Sequence, residues 1–124
     1  MTFEDLNLCN ALLSALNDAG YTNPTTIQHR VFAVVMSGRD VCGIAQTGTG
    51  KTFAYLLPCL NQWKFNKEKK AQIVIIVPTR ELVAQVVNAA KELTTYMSVT
   101  VVGVYGGANI NTQAAEVLKG VDVL

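Results

Sequence analysis

Charge is the first thing this sequence has little of. Only 15% of its 124 residues are charged, and ten Lys plus Arg against nine Asp plus Glu leave a formal net charge of +1. The chain as a whole is therefore not the basic body of an electrostatically driven nucleic-acid binder. Any nucleic-acid affinity has to come from local motifs. Cysteine is scarce too: Cys9, Cys42 and Cys59 are odd in number, far apart and without a CxxC pair, and His29 is the one imidazole. Neither a disulfide framework nor a zinc site follows from such a set, and reduced thiols of a cytoplasmic protein are expected. No apolar run approaches the ~18 residues of a membrane span, and the N-terminus carries Glu4 and Asp5 in place of a basic targeting region. A soluble, intracellular chain is expected. There is no internal repeat and no low-complexity tract.

Apolar residues, by contrast, make up 50% of the chain, enough for the core of one domain and suggestive of strands buried on both faces. Their spacing alternates between two periods. Leu8, Leu12, Ala15, Leu16 and Ala19 recur at helical spacing between Asn7, a good N-cap, and Gly20. Thr25 caps a second helix carrying Ile27, Val31, Val34 and Val35, with Ser37-Gly38 as its stop. From 41 to 45 a short apolar run reads as a strand. It leads through a glycine-rich loop into a helix with Phe53, Leu56, Leu57 and Leu60, in which Pro58 should cause a kink. Four lysines and a glutamate between 64 and 70 read as a solvated loop. The β-branched run 73–77 ends at Pro78 and precedes a helix with Leu82, Val86, Ala89, Ala90 and Leu93. A third strand at 99–104, a loop at Tyr105-Gly106-Gly107, a helix at 111–119 and a fourth strand from Val121 complete the order. Strands alternating with helices predict a layered α/β domain with a parallel sheet.

The strongest chemical signal is Ala45-Gln46-Thr47-Gly48-Thr49-Gly50-Lys51-Thr52, which departs from the phosphate-loop pattern G-x-x-x-x-G-K-[ST] only by alanine in the first position. Gly48 and Gly50 let the backbone curl so that N–H groups converge on phosphate, and the helix that follows presents its positive end to the same anion. Lys51 adds the charge for the β- and γ-phosphates, and Thr52 the hydroxyl that ligates Mg²⁺. The competing reading, a flexible turn with an incidental lysine, is weakened by the strand before the loop and the helix after it. Upstream, Gly20-Tyr21 and Pro24-Thr25-Thr26-Ile27-Gln28 alone describe a capped turn with Gln28 on a helix surface. Beside a phosphate loop the Gln28 carboxamide gains a second reading, because it can pair with both Hoogsteen-edge atoms of adenine. Together the two elements suggest ATP in preference to GTP.

Taken in order, these residues closely resemble the first RecA-like domain of the DEAD-box RNA helicases. Phe3, Gly20-Tyr21 and Pro24 to Gln28 resemble the Q motif with its upstream aromatic, and Ala45 to Thr52 resembles motif I. Pro78-Thr79-Arg80-Glu81-Leu82 resembles motif Ia, and Gly106-Gly107 the GG element. The resemblance implies a three-layer RecA-like P-loop domain with a mostly parallel sheet, incomplete at its C-terminus, with a Q-motif region at 1–40 and the P-loop, motif Ia and GG at 41–124. It implies that Phe3 and Tyr21 flank adenine, that Gln28 reads its edge, and that Thr47, Gly48, Thr49, Gly50, Lys51 and Thr52 hold ATP and Mg²⁺. Lys51 and Thr52 are then the only residues of the catalytic machinery present. Pro78, Thr79, Arg80, Gly106 and Gly107 would hold the RNA sugar-phosphate chain, without reading bases.

Thr26 stands where many members of that family have a second proline, and Val83 where alanine is usual; neither change removes a contacting group. The larger departure is that the TPGR, DEAD and SAT segments and the second RecA-like domain do not occur in these residues. Asp40, Glu81 and Asp122 lie in no D-E-A-D context and read as surface charges or caps. The chain thus reads as the N-terminal part of an ATP-dependent RNA helicase, unable to hydrolyse ATP alone. The alternatives are a stand-alone nucleotide- or RNA-binding module and a piece of another P-loop helicase acting on DNA. In the RecA-like sheet the DEAD and SAT strands lie between the strands at 41–45 and 73–77, so both are expected to keep open edges. Either the strand order changes or the chain pairs or swaps strands with a second copy.

Overall fold

The computed structural model describes every residue from Met1 to Leu124. A 3₁₀ turn at Phe3–Leu6 is followed by five helices: α1 (Asn10–Asp18), α2 (Thr26–Met36), α3 (Lys51–Gln62), α4 (Arg80–Leu93) and α5 (Ile110–Leu118). The caps explain the boundaries. Thr25 and Thr79 accept hydrogen bonds from the backbone N–H groups of Gln28 and Leu82, and Asn109 accepts from Asn111 and Thr112, so each helix begins with an orphan donor satisfied. Asn7 departs from the expected role. It sits at φ 57°, ψ 37° and ends the 3₁₀ turn, leaving Cys9 as the N-cap of α1. The reason is that asparagine tolerates the left-handed region, and Thr2 with Asp5 already forms a capping box that commits the chain to an earlier turn. Pro58 does not end α3, which runs on to Gln62, whose side-chain amide donates to the Pro58 carbonyl at 3.2 Å.

The core lies between the helices and one side of the extended segments. Leu12 and Leu16 of α1, Phe32 of α2, Phe53, Leu56, Leu57 and Leu60 of α3, and Ala90 and Leu93 of α4 form one cluster with Phe3, Leu6, Leu8 and Val123. Helix α2 packs chiefly on α3, which fixes the loop at 46–50 against the start of α2.

The expected sheet is reduced to two isolated parallel bridges, Ile73 with Val123 and Val101 with Val123. Hydrogen bonds join the segments in the order 99–102, 121–124, 72–75: Asp122 and Val123 donate to the Thr100 carbonyl, Leu124 donates to Ile73, and Ile75 donates to Leu124. Residues 41–45 make no backbone hydrogen bond to any other segment, so the predicted first strand is extended but unpaired. The third layer is absent as well. Ile73 and Ile75 face the core, whereas Val74 and Ile76 alternate to an uncovered side, where Ile76 is 91% exposed; Ile44 in the unpaired segment is 92% exposed.

Two charged residues also fall differently from the sequence reading. Asp122 is no surface charge: it is 1% exposed, and its Oδ2 accepts the Thr100 N–H at 2.8 Å. Lys69, within the lysine-rich loop, takes φ 46° and donates through Nζ to Thr100 Oγ1 at 3.0 Å. The loop is tethered at that residue to the bottom of the bridged segments.

Candidate nucleotide site and RNA-facing cluster

The phosphate loop is built by two glycines. Gly48 and Gly50 both stand at φ +84°, a region that residues with a Cβ enter only at a cost. Gly50 is doubly constrained, because a Cβ there would lie 2.4 Å from Gln28 Nε2. Between them Thr49 closes the turn by donating its hydroxyl to the Gln46 carbonyl at 2.5 Å. Gly50 is the N-cap of α3, and the first turn of that helix carries no acidic residue. The N–H groups of a twelve-residue helix therefore open onto the loop with no negative charge to repel an anion. Lys51, the first residue of α3, is exposed, and Thr52 is half-buried beside it. Burial raises the Tyr55 pKa against the opposing effect of the neighbouring Thr52 side chain, so the phenol stays protonated and neutral beside the loop.

Gln28 holds the loop to its neighbour. Its side chain is not solvated: the residue is 5% exposed. Oε1 accepts the Thr25 N–H at 2.9 Å, and Nε2 donates to the Gly50 carbonyl at 3.1 Å. The first bond completes a capping box with Thr25, whose hydroxyl accepts the Gln28 N–H. The Thr-x-x-Gln spacing that signals this box was present in the sequence; the second bond, across 22 residues, was not signalled by any local pattern. One N–H and one lone pair of the carboxamide remain for a ligand.

The two expected aromatics part company. Tyr21 is 45% exposed and meets Phe53 of α3 edge to face at a centroid distance of 5.1 Å. Phe3 is 3% exposed and belongs to the core cluster, because the 3₁₀ turn packs on α2 and its backbone N–H is held by the Thr22 carbonyl. Both line a cleft of about 360 Å³ with Glu4, Leu13, Asn17 and Thr22, but only Tyr21 offers a substantially exposed ring. For Mg²⁺ the chain supplies the Thr52 hydroxyl, and no group of three His, Cys, Asp or Glu converges on one point. That fits a metal held mainly by phosphate oxygens and water, the usual state of Mg²⁺ at such loops.

The second set of residues also converges. Thr79 caps α4 through its hydroxyl at 3.2 Å from the Leu82 nitrogen. Arg80 follows, and its guanidinium carbon lies 5.5 Å from the centre of the Tyr105 ring. A Cβ on Gly107 would sit 3.2 Å from Arg80 Nη2, so the absence of a side chain there lets the guanidinium lie close to the loop. Motif residues more than twenty positions apart thus meet as one exposed, cationic patch with backbone groups within reach. Gly106 has nothing within 4 Å of an added Cβ and is open to solvent. Pro78 sits half-exposed or more at the entrance to α4.

Known proteins match the same residues. Positions 25–124 match the family described as DEAD/DEAH box helicase. The ATP-dependent RNA helicase HAS1 of Saccharomyces cerevisiae is 41% identical over 98% of this chain and 25% of its own length. The protein of the same name from Kluyveromyces lactis is 38% identical over 99% of the chain and 25% of its own length. Among solved structures, the RNA-helicase Prp28 from Chaetomium thermophilum bound to ADP matches with a TM-score of 0.85 and 35% identity, covering 98% of this chain and 30% of that one. A DEAD box protein from the hyperthermophile Methanococcus jannaschii matches with a TM-score of 0.89 and 30% identity, over 99% and 33% of the two chains. The chain spans about a quarter of the length of the curated relatives it matches.

Proposed function

The chain belongs to the DEAD/DEAH box helicase family, and on that premise we propose that it is the ATP-binding part of an RNA helicase that couples ATP binding and hydrolysis to duplex unwinding. The observation that carries the reading is the loop at 46–50, opening onto the start of α3 and tied by Gln28 to the capping box of α2. In this reading the triphosphate lies along the loop. Backbone N–H groups and the α3 dipole hold its oxygens, and Lys51 neutralises the β- and γ-phosphates. Thr52 holds Mg²⁺, which when bound offsets charge on the same oxygens. Gln28, through its remaining N–H and lone pair, and Tyr21, through its exposed ring, meet the adenine.

Arg80, Thr79 and the backbone at Pro78, Gly106 and Gly107 grip the sugar-phosphate chain of RNA, which gives affinity without base preference. None of the residues assigned to the nucleotide, Phe3, Tyr21, Gln28 and Thr47 to Thr52, is a carboxylate that could orient an attacking water, so phosphate release by this chain alone is expected to stay at background. The second RecA-like domain of the whole protein completes the reaction, and the protein acts in the cytoplasm.

The test is a titration of the natural protein with a fluorescent ATP analogue. Lys51 is exposed, so Lys51→Ala should leave the circular dichroism spectrum unchanged while weakening binding at least about tenfold, the effect of losing a charge-assisted contact. Unchanged affinity would remove the phosphate-loop assignment.

A further inference from the structure

Helix α5 is attached in an unusual way. It buries none of its side chains, so packing does not decide where it sits, yet one residue of its first turns bonds twice to the backbone of a single residue, on either side of its Cα. Gln113 Oε1 accepts the Tyr105 N–H at 2.7 Å, and Gln113 Nε2 donates to the Tyr105 carbonyl at 2.9 Å. The side-chain amide does for Tyr105 what the peptide of a neighbouring strand does in a ladder, at a point where the backbone has no such neighbour. Neither bond serves α5 itself, whose start is capped by Asn109. Their effect falls on Tyr105, and Tyr105 carries the ring over which the Arg80 guanidinium lies at 5.5 Å.

We infer that Gln113 is a positioning residue for RNA binding: by clamping the Tyr105 backbone on both sides of its Cα it fixes the ring and the nearby Gly107 backbone that together hold Arg80 in place. Arg80 is exposed at the start of α4. A free arginine there spreads over many rotamers, and ordering it costs conformational entropy on each encounter with phosphate. A guanidinium resting on Tyr105 beside a glycine, where a side chain would crowd Nη2, is already ordered. Its donors lie in the guanidinium plane, and Arg80 is exposed, so a phosphate would meet it edge-on. Gln113 touches neither RNA nor nucleotide and acts through Tyr105 alone.

The inference rests on the reading of Arg80 as a phosphate contact, and the experiment separates the two. Binding of the natural protein to labelled oligouridine is followed by anisotropy at several salt concentrations. The comparison includes wild type, Arg80→Ala, Gln113→Met and the double variant, with thermal melts and binding of a fluorescent ATP analogue as controls. Gln113→Met keeps the length and apolar stem while removing both hydrogen bonds; Gln113→Ala repeats the test if the longer side chain perturbs folding. Arg80→Ala should lower the slope of log affinity against log salt by about one. Gln113→Met should weaken RNA binding about three- to tenfold, the range expected for one or two hydrogen bonds, with ATP-analogue binding unchanged. The double variant should bind no more weakly than Arg80→Ala, since both changes remove one unit. If Arg80→Ala changes the slope but Gln113→Met leaves affinity unchanged, or the two losses add, the positioning role is overturned and the RNA site stands. If Arg80→Ala has no effect, the RNA-site reading falls and the role of Gln113 falls with it.

Discussion

The nucleotide side and the RNA-facing side of this chain are built by opposite means. Around the phosphate loop, α3 buries Phe53, Leu56, Leu57 and Leu60, α2 packs along it, and Gln28 closes the junction with hydrogen bonds. On the other side α5 buries nothing, residues 72–75, 99–102 and 121–124 are joined by two bridges, and Ile76 stands in solvent. The first region is finished by contacts between two successive helices, α2 and α3. The second depends on pairing over long separations, and its shape is held at single points such as Arg80 on Tyr105. On the proposed function, binding the triphosphate would need little rearrangement, whereas gripping RNA would depend on a surface held by few contacts.

Core truncation gives the largest contrast. Leu56 is fully buried on α3, and Leu56→Ala should cost about 2–5 kcal/mol, whereas Leu118→Ala on the exposed end of α5 should stay within about 0.5 kcal/mol. Urea unfolding midpoints measure both, and equal losses would break the distinction between the two regions. Glycine replacement comes next. Gly50→Ala forces a Cβ into φ +84° and to 2.4 Å from Gln28 Nε2, for a cost of about 1–3 kcal/mol together with weaker ATP-analogue binding. Gly106→Ala meets nothing within 4 Å and should leave both stability and nucleotide binding unchanged; a Gly50→Ala variant as stable as Gly106→Ala would contradict the packed junction. The smallest effect on stability belongs to the open side. Backbone at 41–45 is unpaired and Ile44 and Ile76 are exposed, and the expected pairing with a second copy through such an edge is open to test. Ile76→Lys should shift light scattering of the isolated chain toward monomer without moving the unfolding midpoint by more than about 0.5 kcal/mol.

The same contrast explains what could be read from the sequence. Helices α2, α3 and α4 were legible within about two residues because Thr25, Gly50 and Pro78 punctuate them locally. The phosphate loop was legible for the same reason: its glycines act within a five-residue stretch. Asn7 misled because two adjacent turns competed for it, and the earlier one had the capping box. Motif likeness placed Phe3 near the base; on its short turn against α2 the ring is largely buried, though it lines one cleft with Tyr21, and that burial had no local signal. The meeting of Arg80, Tyr105 and Gly107 had no local signal, since it arises from how 72–75 and 99–102 flank Val123. Of the parallel sheet, only the two bridges at Val123 form: β-branched runs report a preference for extension, and regular pairing also requires partners in register.

The central claim is that the junction of α2 with the phosphate loop is an ATP site in which Gln28 both holds the loop and meets the base. The direct measurement is a calorimetric titration of the natural protein and its Gln28→Ala variant with ATP and with GTP. Loss of a bidentate adenine contact removes ~1–3 kcal/mol of discrimination, so the preference for ATP should narrow by about five- to a hundredfold while GTP affinity falls less. Equal losses for the two nucleotides would mean that Gln28 serves the capping box and the Gly50 carbonyl alone, and that the base is read elsewhere.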